Sequence, residues 1–404
     1  MIRFLKKLGP GLLFAGAAIG VSHLVQSTRA GADYGYGLLW ALLLVHLFKY
    51  PFFQYGPRYA LATGESLLEG YQKLGKGILA VFFILNITTM FTIQTAVTIV
   101  TAGLASNLFG ISTNPIIWSI VITILCMVIL LFGKYKLLDN LMKVIITTLT
   151  ICTIIAVFMA NSKVDTSLSF TQIIPTDTAG LAFIIAFMGW MPAPLDVSVW
   201  QSLWALEKRK VDRSYKTKRA ITDFNIGYAS TIILGVFFIS LGALVMYHSN
   251  ESFNNGATQF AFQLINMYTK TLGEAAYYVI AIAAFTAMFS TTLTTLDASP
   301  RAMAKTSSLL FNFQFRYNFM FWILILAIGT IFILLFLLSE MKMLIDIATI
   351  LSFVTAPFYA IINYKLVCSK HMPKEWRPST AMHILSWAGI LFLIGFSVWY
   401  IISL

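Results

Sequence analysis

Hydrophobic residues run through this chain in long blocks, most near the 20 or so residues that a helix needs to cross the hydrocarbon core of a bilayer. The blocks fall at 10–31, 36–62, 77–108, 115–133, 138–160, 179–205, 223–247, 274–299, 320–338, 343–364 and 383–403, which predicts an all-α integral membrane protein with eleven transmembrane helices. A short amphipathic stretch, Glu65–Lys73, separates the second block from the third, and another, near 257–272, precedes the eighth. The whole chain, 1–404, reads as one transmembrane domain.

Two blocks are interrupted. The first carries Gly9-Pro10-Gly11, Gly16 and Gly20, and then a polar run through Ser22, His23, Gln26, Ser27, Thr28 and Arg29. That run is too polar to face lipid, and non-helical backbone at membrane depth survives only where it is buried in protein or lines a cavity. The sixth block contains Met191-Pro192-Ala193-Pro194-Leu195-Asp196. Two prolines one residue apart remove two backbone donors and break a helix. Glycines and prolines often do no more than kink membrane helices. Breaks at corresponding positions of two halves, however, point to a transporter's binding site. Spans one and six have the spacing of a five-plus-five inverted repeat, about 8–160 and 178–364, with an extra helix at 383–403.

Charge orients the spans. With the N-terminus in the cytoplasm and each span flipping the side, the basic residues gather inside: Arg3, Lys6 and Lys7; Lys49, Arg58, Lys73 and Lys76; Lys134, Lys136 and Lys143; the cluster from Lys208 to Arg219; Arg301, Lys305 and Arg316; Lys365, Lys370, Lys374 and Arg377. Only Arg29, Lys163, Lys270 and Lys342 remain outside. The positive-inside rule therefore supports both the count and the orientation, with the C-terminus outside, as expected of a multi-pass protein of the cell (plasma) membrane. The basic start, Met1–Lys7, lacks a small-residue cleavage site after it and reads as cytoplasmic rather than as a removed signal.

Composition narrows the function classes. The chain is 58% hydrophobic and 11% charged, against about 25% charged in soluble domains. The net charge of +12 is not arranged as a basic stripe with interleaved aromatics, so a nucleic-acid partner is not expected. Cys126, Cys152 and Cys368 fit neither a disulfide framework nor a zinc site. No nucleotide loop, zinc motif or catalytic triad is present; neither an enzyme nor a cofactor is expected. The expected partners are the lipid bilayer and a small-molecule or metal-ion substrate.

At these residues the chain resembles a known family. Gly9-Pro10-Gly11 through Gly35-Tyr36-Gly37-Leu38-Leu39-Trp40 is similar to the opening of the NRAMP divalent-metal transporters. Met191-Pro192 falls where that family carries Met-Pro-His-Asn, and Leu203–Arg209, Asp223-Phe224-Asn225 and Ala356-Pro357-Phe358 also fit. The resemblance implies the LeuT-type fold and a substrate site between broken helices 1 and 6. It also implies alternating access, with those two helices rocking against a scaffold of spans three, four, eight and nine. The departures concern the site. Gly20 stands where the family has its metal-binding aspartate, and His23 where it has an asparagine. Met191 keeps the family's methionine, and Met188 replaces a small residue that offers its carbonyl. Ala193-Pro194 replace His-Asn, and Ser198 a later histidine. Thr95 and Thr98 take the place of the acidic pair of the proton path, and Thr349 that of a glutamine.

These departures change the chemistry expected. Moving even a monovalent ion into low dielectric costs about 20 kcal/mol in the idealised limit, and Gly20 supplies no opposing charge. His23 and Met191 are the candidate metal ligands; both suit transition metals but are neutral. Asp196 is the nearest acid. Thr95 and Thr98 cannot titrate, whereas His23 can carry a proton near neutral pH. The remaining candidates for the site, Ser22, Gln26, Met188, Trp190, Ala193 and Trp200, have the aromatic and thioether character of a pocket for a small organic molecule. The N-terminus of the second half of span six would favour an anionic group such as a carboxylate. Packing or a membrane-interface belt accounts equally well for Trp190 and Trp200.

Two substrates are therefore expected. The preferred one is a small non-metal solute held by His23, Gln26, Trp190 and exposed backbone. The alternative is a divalent metal held by His23, Met191 and Asp196. A carboxylate installed at Gly20 should separate them. A non-transporting receptor on the same fold is a third class. Elsewhere, Arg29 and Asp33 are expected to pair at the outer rim or to be solvated, Asp223 to cap span seven, Asp297 to pair with Arg301, and His46 and Lys49 to sit near the inner interface. Asp346 has no assignable partner.

Overall fold

The computed structural model describes residues 9–132, 135–162, 169–247, 253–274, 277–312, 315–337 and 340–403. Arg3, Lys6, Lys7, Lys134 and Lys163 of the charge pattern lie outside the described residues.

Span one is α1 (Pro10–Ala18), a π-helical segment (Val21–Ser27) and α2 (Thr28–Tyr34). Then follow α3 (Leu39–Thr63), the short α4 (Leu67–Leu74), α5 (Lys76–Phe109), α6 (Pro115–Phe132) and α7 (Tyr135–Asn161). Span six is divided into α8 (Thr178–Trp190) and α9 (Val197–Val211). The remainder is α10 (Thr217–Val245), the amphipathic α11 (Ala257–Leu272), α12 (Tyr277–Phe311), α13 (Asn318–Phe332) continued by a π-helical turn, α14 (Met341–Cys368) and α15 (Thr380–Ser403). The described residues contain no strand.

Among the described residues, seven helical segments are long and apolar enough to cross a membrane by length and composition: Pro10–Tyr34, Lys76–Phe109, Thr217–Val245, Tyr277–Phe311, Asn318–Leu337, Met341–Cys368 and Thr380–Ile402. Shorter apolar helices lie at Pro115–Leu131, Thr147–Asn161 and Thr178–Trp190. The expected second span is the polar one: α3 carries His46, Lys49 and Arg58, together with Pro51 and Pro57 inside the helix. Both expected amphipathic stretches are separate helices. Ser66 and Glu69 form a capping box that starts α4.

The two broken spans are held by different neighbours. α1, the π-helical segment and α2 pack along α10; α8 packs on α14, and α9 on α3. Small residues allow the first contact, as membrane helices that approach closely require. A Cβ on Gly11 would lie 2.1 Å from the Asp223 carbonyl oxygen, and one on Gly227 2.0 Å from that of Gly11. Asp223 does not cap its own helix. It lies in the second turn of α10, and its carboxylate accepts the Gly9 and Gly11 amides at 3.1 and 3.0 Å and the Tyr215 hydroxyl at 2.7 Å. It therefore caps α1, two of whose N-terminal amides have no partner within the helix.

α5 and α12 form the other large contact. A ladder of neutral polar groups joins them. Thr295 donates to Gln94 Oε1 at 2.6 Å, Gln94 Nε2 donates to Thr98 Oγ1 at 3.2 Å, and Thr101 and Thr292 share a 2.7 Å bond. Thr95 and Thr98 also return their hydroxyls to the Phe91 and Gln94 carbonyls of their own helix.

Candidate transport site at the two helix breaks

In span one the α-helix ends at Ile19 and Gly20, which have non-helical backbone angles, and the chain resumes as a π-helical segment. The polar run is buried as far as Thr28: Ser22, His23, Gln26, Ser27 and Thr28 are all 3% exposed or less. In span six, helix gives way at Met191, whose peptide bond to Pro192 is cis, and resumes at Val197.

The breaks face one another across a small cavity of about 30 Å³, room for about two waters. Ala17, Ala18, Val21, Ser22, Trp190, Pro192, Ala193, Pro194, Val197 and Trp200 line it, with Ile93 and Val97 of α5 and Thr291 and Thr295 of α12. Of the residues expected at the substrate site, Ser22, Trp190, Ala193 and Trp200 line this space. Gly20 borders it through Thr291, whose Oγ1 would lie 2.7 Å from a Cβ placed on Gly20. The lining is apolar apart from hydroxyls and the two indoles. The Trp190 Nε1 is already bonded to Ser352 Oγ at 2.9 Å, whereas Trp200 Nε1 is buried with no partner.

His23 faces the other way. Its Nε2 lies 2.9 Å from the Thr231 carbonyl of α10, and its Nδ1 lies 2.7 Å from Ser22 Oγ and 2.9 Å from the Ala18 carbonyl. Both ring nitrogens are thus engaged within the protein. Gln26 accepts from Arg29 at 3.4 Å and leaves its Nε2 unpartnered.

An ionisable side chain that the sequence places elsewhere reaches the break in span six. Lys49 and His46, expected near the inner interface, are both buried within the protein, Lys49 completely. The Lys49 ammonium donates to the carbonyls of Met188 and Gly189 at 2.8 Å each, and reaches that of Ala193 at 3.4 Å. The first two are among the last carbonyls of α8, which have no partner within the helix and bear the negative end of its dipole. Asp196, also buried, stands at the start of α9 with Oδ1 unpartnered, within electrostatic reach of Lys49. Each end of the break thus carries an ionisable side chain whose charged form has the sign its helix dipole favours. Helical periodicity puts Lys49 one turn from His46, but nothing local signals a partner 140 residues away in sequence.

The remaining expectations resolve as follows. Arg29 forms an ion pair with Asp346 at 3.9 Å, which gives Asp346 a partner. Asp297 and Arg301 pair at 2.5 Å, as their helical spacing predicts. Thr349 bonds the Ile345 carbonyl, and Ser198 accepts from Asn363 at 2.9 Å. Cys126, Cys152 and Cys368 are free thiols. A larger cleft, about 930 Å³, opens beside α9, with Arg209, Lys210, Arg213, Arg301 and Lys305 outnumbering Glu69 and Glu207 on its walls.

Residues 11–403 match the Nramp family, described as natural resistance-associated macrophage protein-like. The chain belongs to the Nramp family. It is 36% identical over 401 residues, 98% of its length and 91% of the relative's, to a Pasteurella multocida protein named uncharacterized protein PM0681. It is 24% identical, with the same coverage, to the divalent metal cation transporter MntH of Staphylococcus saprophyticus. Its backbone superposes on the Eremococcus coleocola manganese transporter, in complex with an aromatic bis-isothiourea substituted compound, with a TM-score of 0.68 at 14% identity, covering 99% of this chain and 94% of that one.

This Nramp chain is accordingly a multi-pass membrane transporter with the all-α LeuT-type architecture. Within the family it is divergent. No three of His, Cys, Asp and Glu converge among the described residues. The Met188 carbonyl, at the position where the resemblance puts a carbonyl ligand, is held by the Lys49 ammonium.

Proposed function

We propose that this Nramp-family transporter carries a small non-metal solute through the cell membrane, by alternating access at the breaks of spans one and six. The observation that carries the proposal is the Lys49 ammonium on the carbonyls of Met188, Gly189 and Ala193. A divalent ion about 4 Å from that ammonium would be repelled by about 8 kcal/mol at an effective dielectric of about 20. Gly20 offers no carboxylate to offset this, and the space beside it is filled by Thr291. The cavity walls instead suit an apolar body with one or two hydrogen-bonding groups, for which the unpartnered Trp200 Nε1 can donate, while the hydroxyls of Ser22, Thr291 and Thr295, already donating within the protein, can only accept.

In this reading the two repeats span about 8–160 and 178–364, with 383–403 as the extra helix. The charge bias puts the N-terminus in the cytoplasm and the C-terminus outside, so the basic cleft beside α9 is the inner vestibule. The rival reading, divalent-metal transport through His23 and Met191, draws on the names of the MntH and manganese-transporter relatives. It requires His23 to leave Thr231 and Ser22, and Lys49 to leave its carbonyls.

The test is Mn²⁺ entry into liposomes containing the purified, folded protein, read by an internal metal-quenched fluorophore with a pH dye in parallel. Uptake no faster than into empty liposomes is expected, together with thermal stabilisation by a small organic solute in a screen. Saturable Mn²⁺ uptake would overturn the proposal.

A further inference from the structure

The arrangement around Lys49 has the form of a cation site. Three backbone carbonyls converge on its nitrogen from one side: Met188 and Gly189 at the end of α8, and Ala193 in the break. The Phe353 ring of α14 lies 6.0 Å away, within cation–π range. An acid with an unpartnered oxygen, Asp196, lies within electrostatic reach of it. His46, one turn away on α3, turns its Nδ1 to the Leu42 carbonyl at 2.7 Å and leaves its Nε2 unpartnered. Carbonyl oxygens at 2.8 Å replace the hydration of an ammonium, which has three donors and takes three acceptors.

We propose that the break in span six is a monovalent-cation site whose occupant is the protein's own Lys49 ammonium, tethered from span two. The inference rests on the reading above that the break is not a metal site. It adds that a free alkali cation or small alkylammonium is the class of ligand that takes the place of Lys49 when the tether is removed. The physical reason is the α8 terminus. Helix ends leave carbonyls unsatisfied, and at membrane depth water cannot complete them. A site that needs a positive charge to hold the break open therefore carries one on a side chain. Its occupancy is then independent of the ion content of either compartment. The same tether ties span two to the hinge of span six.

The experiment uses the purified full-length protein in detergent. Thermal unfolding is followed in choline, sodium, potassium and ethylammonium chloride at matched ionic strength, for the native protein and for Lys49→Ala. The native protein is expected to melt at one temperature in all four salts. Lys49→Ala is expected to melt lower in choline and to regain stability in ethylammonium or an alkali salt, with a saturable rise of about 3 °C or more. An equal response of Lys49→Ala to all four salts would overturn the proposal, because the lysine would then be a structural tether only. A native protein stabilised by sodium or potassium over choline would also overturn it, because the site would not be filled from within. If Lys49→Ala aggregates in every salt, Lys49→Gln replaces it and is read in the same way; its indifference to the cation would also overturn the proposal. Mn²⁺ uptake by the native protein is read separately, so the solute reading can fail while the cation response of the variant still stands or falls by itself.

Discussion

The side chain of Thr291, on α12, fills the space beside Gly20: a Cβ built on that glycine would lie 2.7 Å from Thr291 Oγ1 and 2.8 Å from Cγ2. Both atoms sit on a short, branched side chain that cannot swing aside as a lysine can. Gly20→Asp is therefore more than the addition of a ligand. Overpacking of this kind costs about 1–3 kcal/mol, and the new carboxylate adds a desolvation cost. Thermal unfolding should show Gly20→Asp well below the native protein, with part of the loss recovered in Gly20→Asp/Thr291→Ala. A single variant as stable as the native protein would mean that span one moves away from α12 more readily than this packing allows. The carboxylate test of metal affinity should be run on the double variant.

Asp223 holds α1 to α10 through two amides and the Tyr215 hydroxyl. Hydrogen bonds to a charged group contribute about 1.5–3 kcal/mol each. Asp223→Ala should lose more stability than Asp223→Asn, whose side-chain oxygen can still accept. The loss should be concentrated at α1, so hydrogen exchange should rise at residues 11–13 before it rises in α12. Uniform exchange across the chain would argue against a local role.

Trp190 Nε1 and Ser352 Oγ are a second long-range pair, 2.9 Å apart. The Ser352 hydroxyl also donates to the Ala348 carbonyl at 2.7 Å. Ser352→Ala thus leaves a buried indole N–H without an acceptor, at about 1–3 kcal/mol. In a Trp190→Phe background the same substitution should cost less, and a double-mutant cycle measures the difference. A coupling near zero would show that the pair contributes nothing to closing α8 on α14.

Acid should loosen the wall of the basic cleft. Glu69 of α4 accepts from Lys305 of α12 at 2.8 Å and from the Ser66 amide at 2.7 Å. Partial burial pushes its carboxyl up, but the Lys305 bond and the Ser66 amide outweigh burial and hold it below the usual glutamate range. A carboxyl lowered by folding contributes stability that is complete above its unfolded value and is lost as pH falls through the folded one. The α4–α12 tether therefore holds at neutral pH and weakens only in acid. Melting temperatures from pH 7 down to pH 3 should fall more steeply for the native protein than for Glu69→Gln. Parallel curves would remove Glu69 from this role.

Asp212 should behave in the same direction for a different reason. The Ser214 hydroxyl and amide, with Arg219, hold its carboxylate below the ordinary range at the α9–α10 turn. Asp212→Asn should leave the neutral-pH fold intact and make the turn more open to trypsin at Arg213. Unchanged cleavage would show that the turn is set by backbone alone.

Spacing along the chain encodes whatever is local. Block length set the span count, Pro192 and Pro194 set the break in span six, the glycine-rich start set the one in span one, and the Asp297–Arg301 pair follows from a separation of four on one helix. The neutral character of Thr95 and Thr98 was also legible, because a hydroxyl cannot titrate wherever it lies. Where the charges go is settled only by how the spans pack. Lys49 reads as one more basic residue near the inner interface, and Asp223 as a cap for its own helix. Each instead satisfies the backbone end of a helix far away in sequence: Lys49 the carbonyls at Met188 and Gly189, Asp223 the amides at Gly9 and Gly11. The cause is common to both. A broken helix inside a membrane exposes donors and acceptors that water cannot reach. The side chain that meets them is chosen by which spans pack together, and periodicity along one helix carries no information about that.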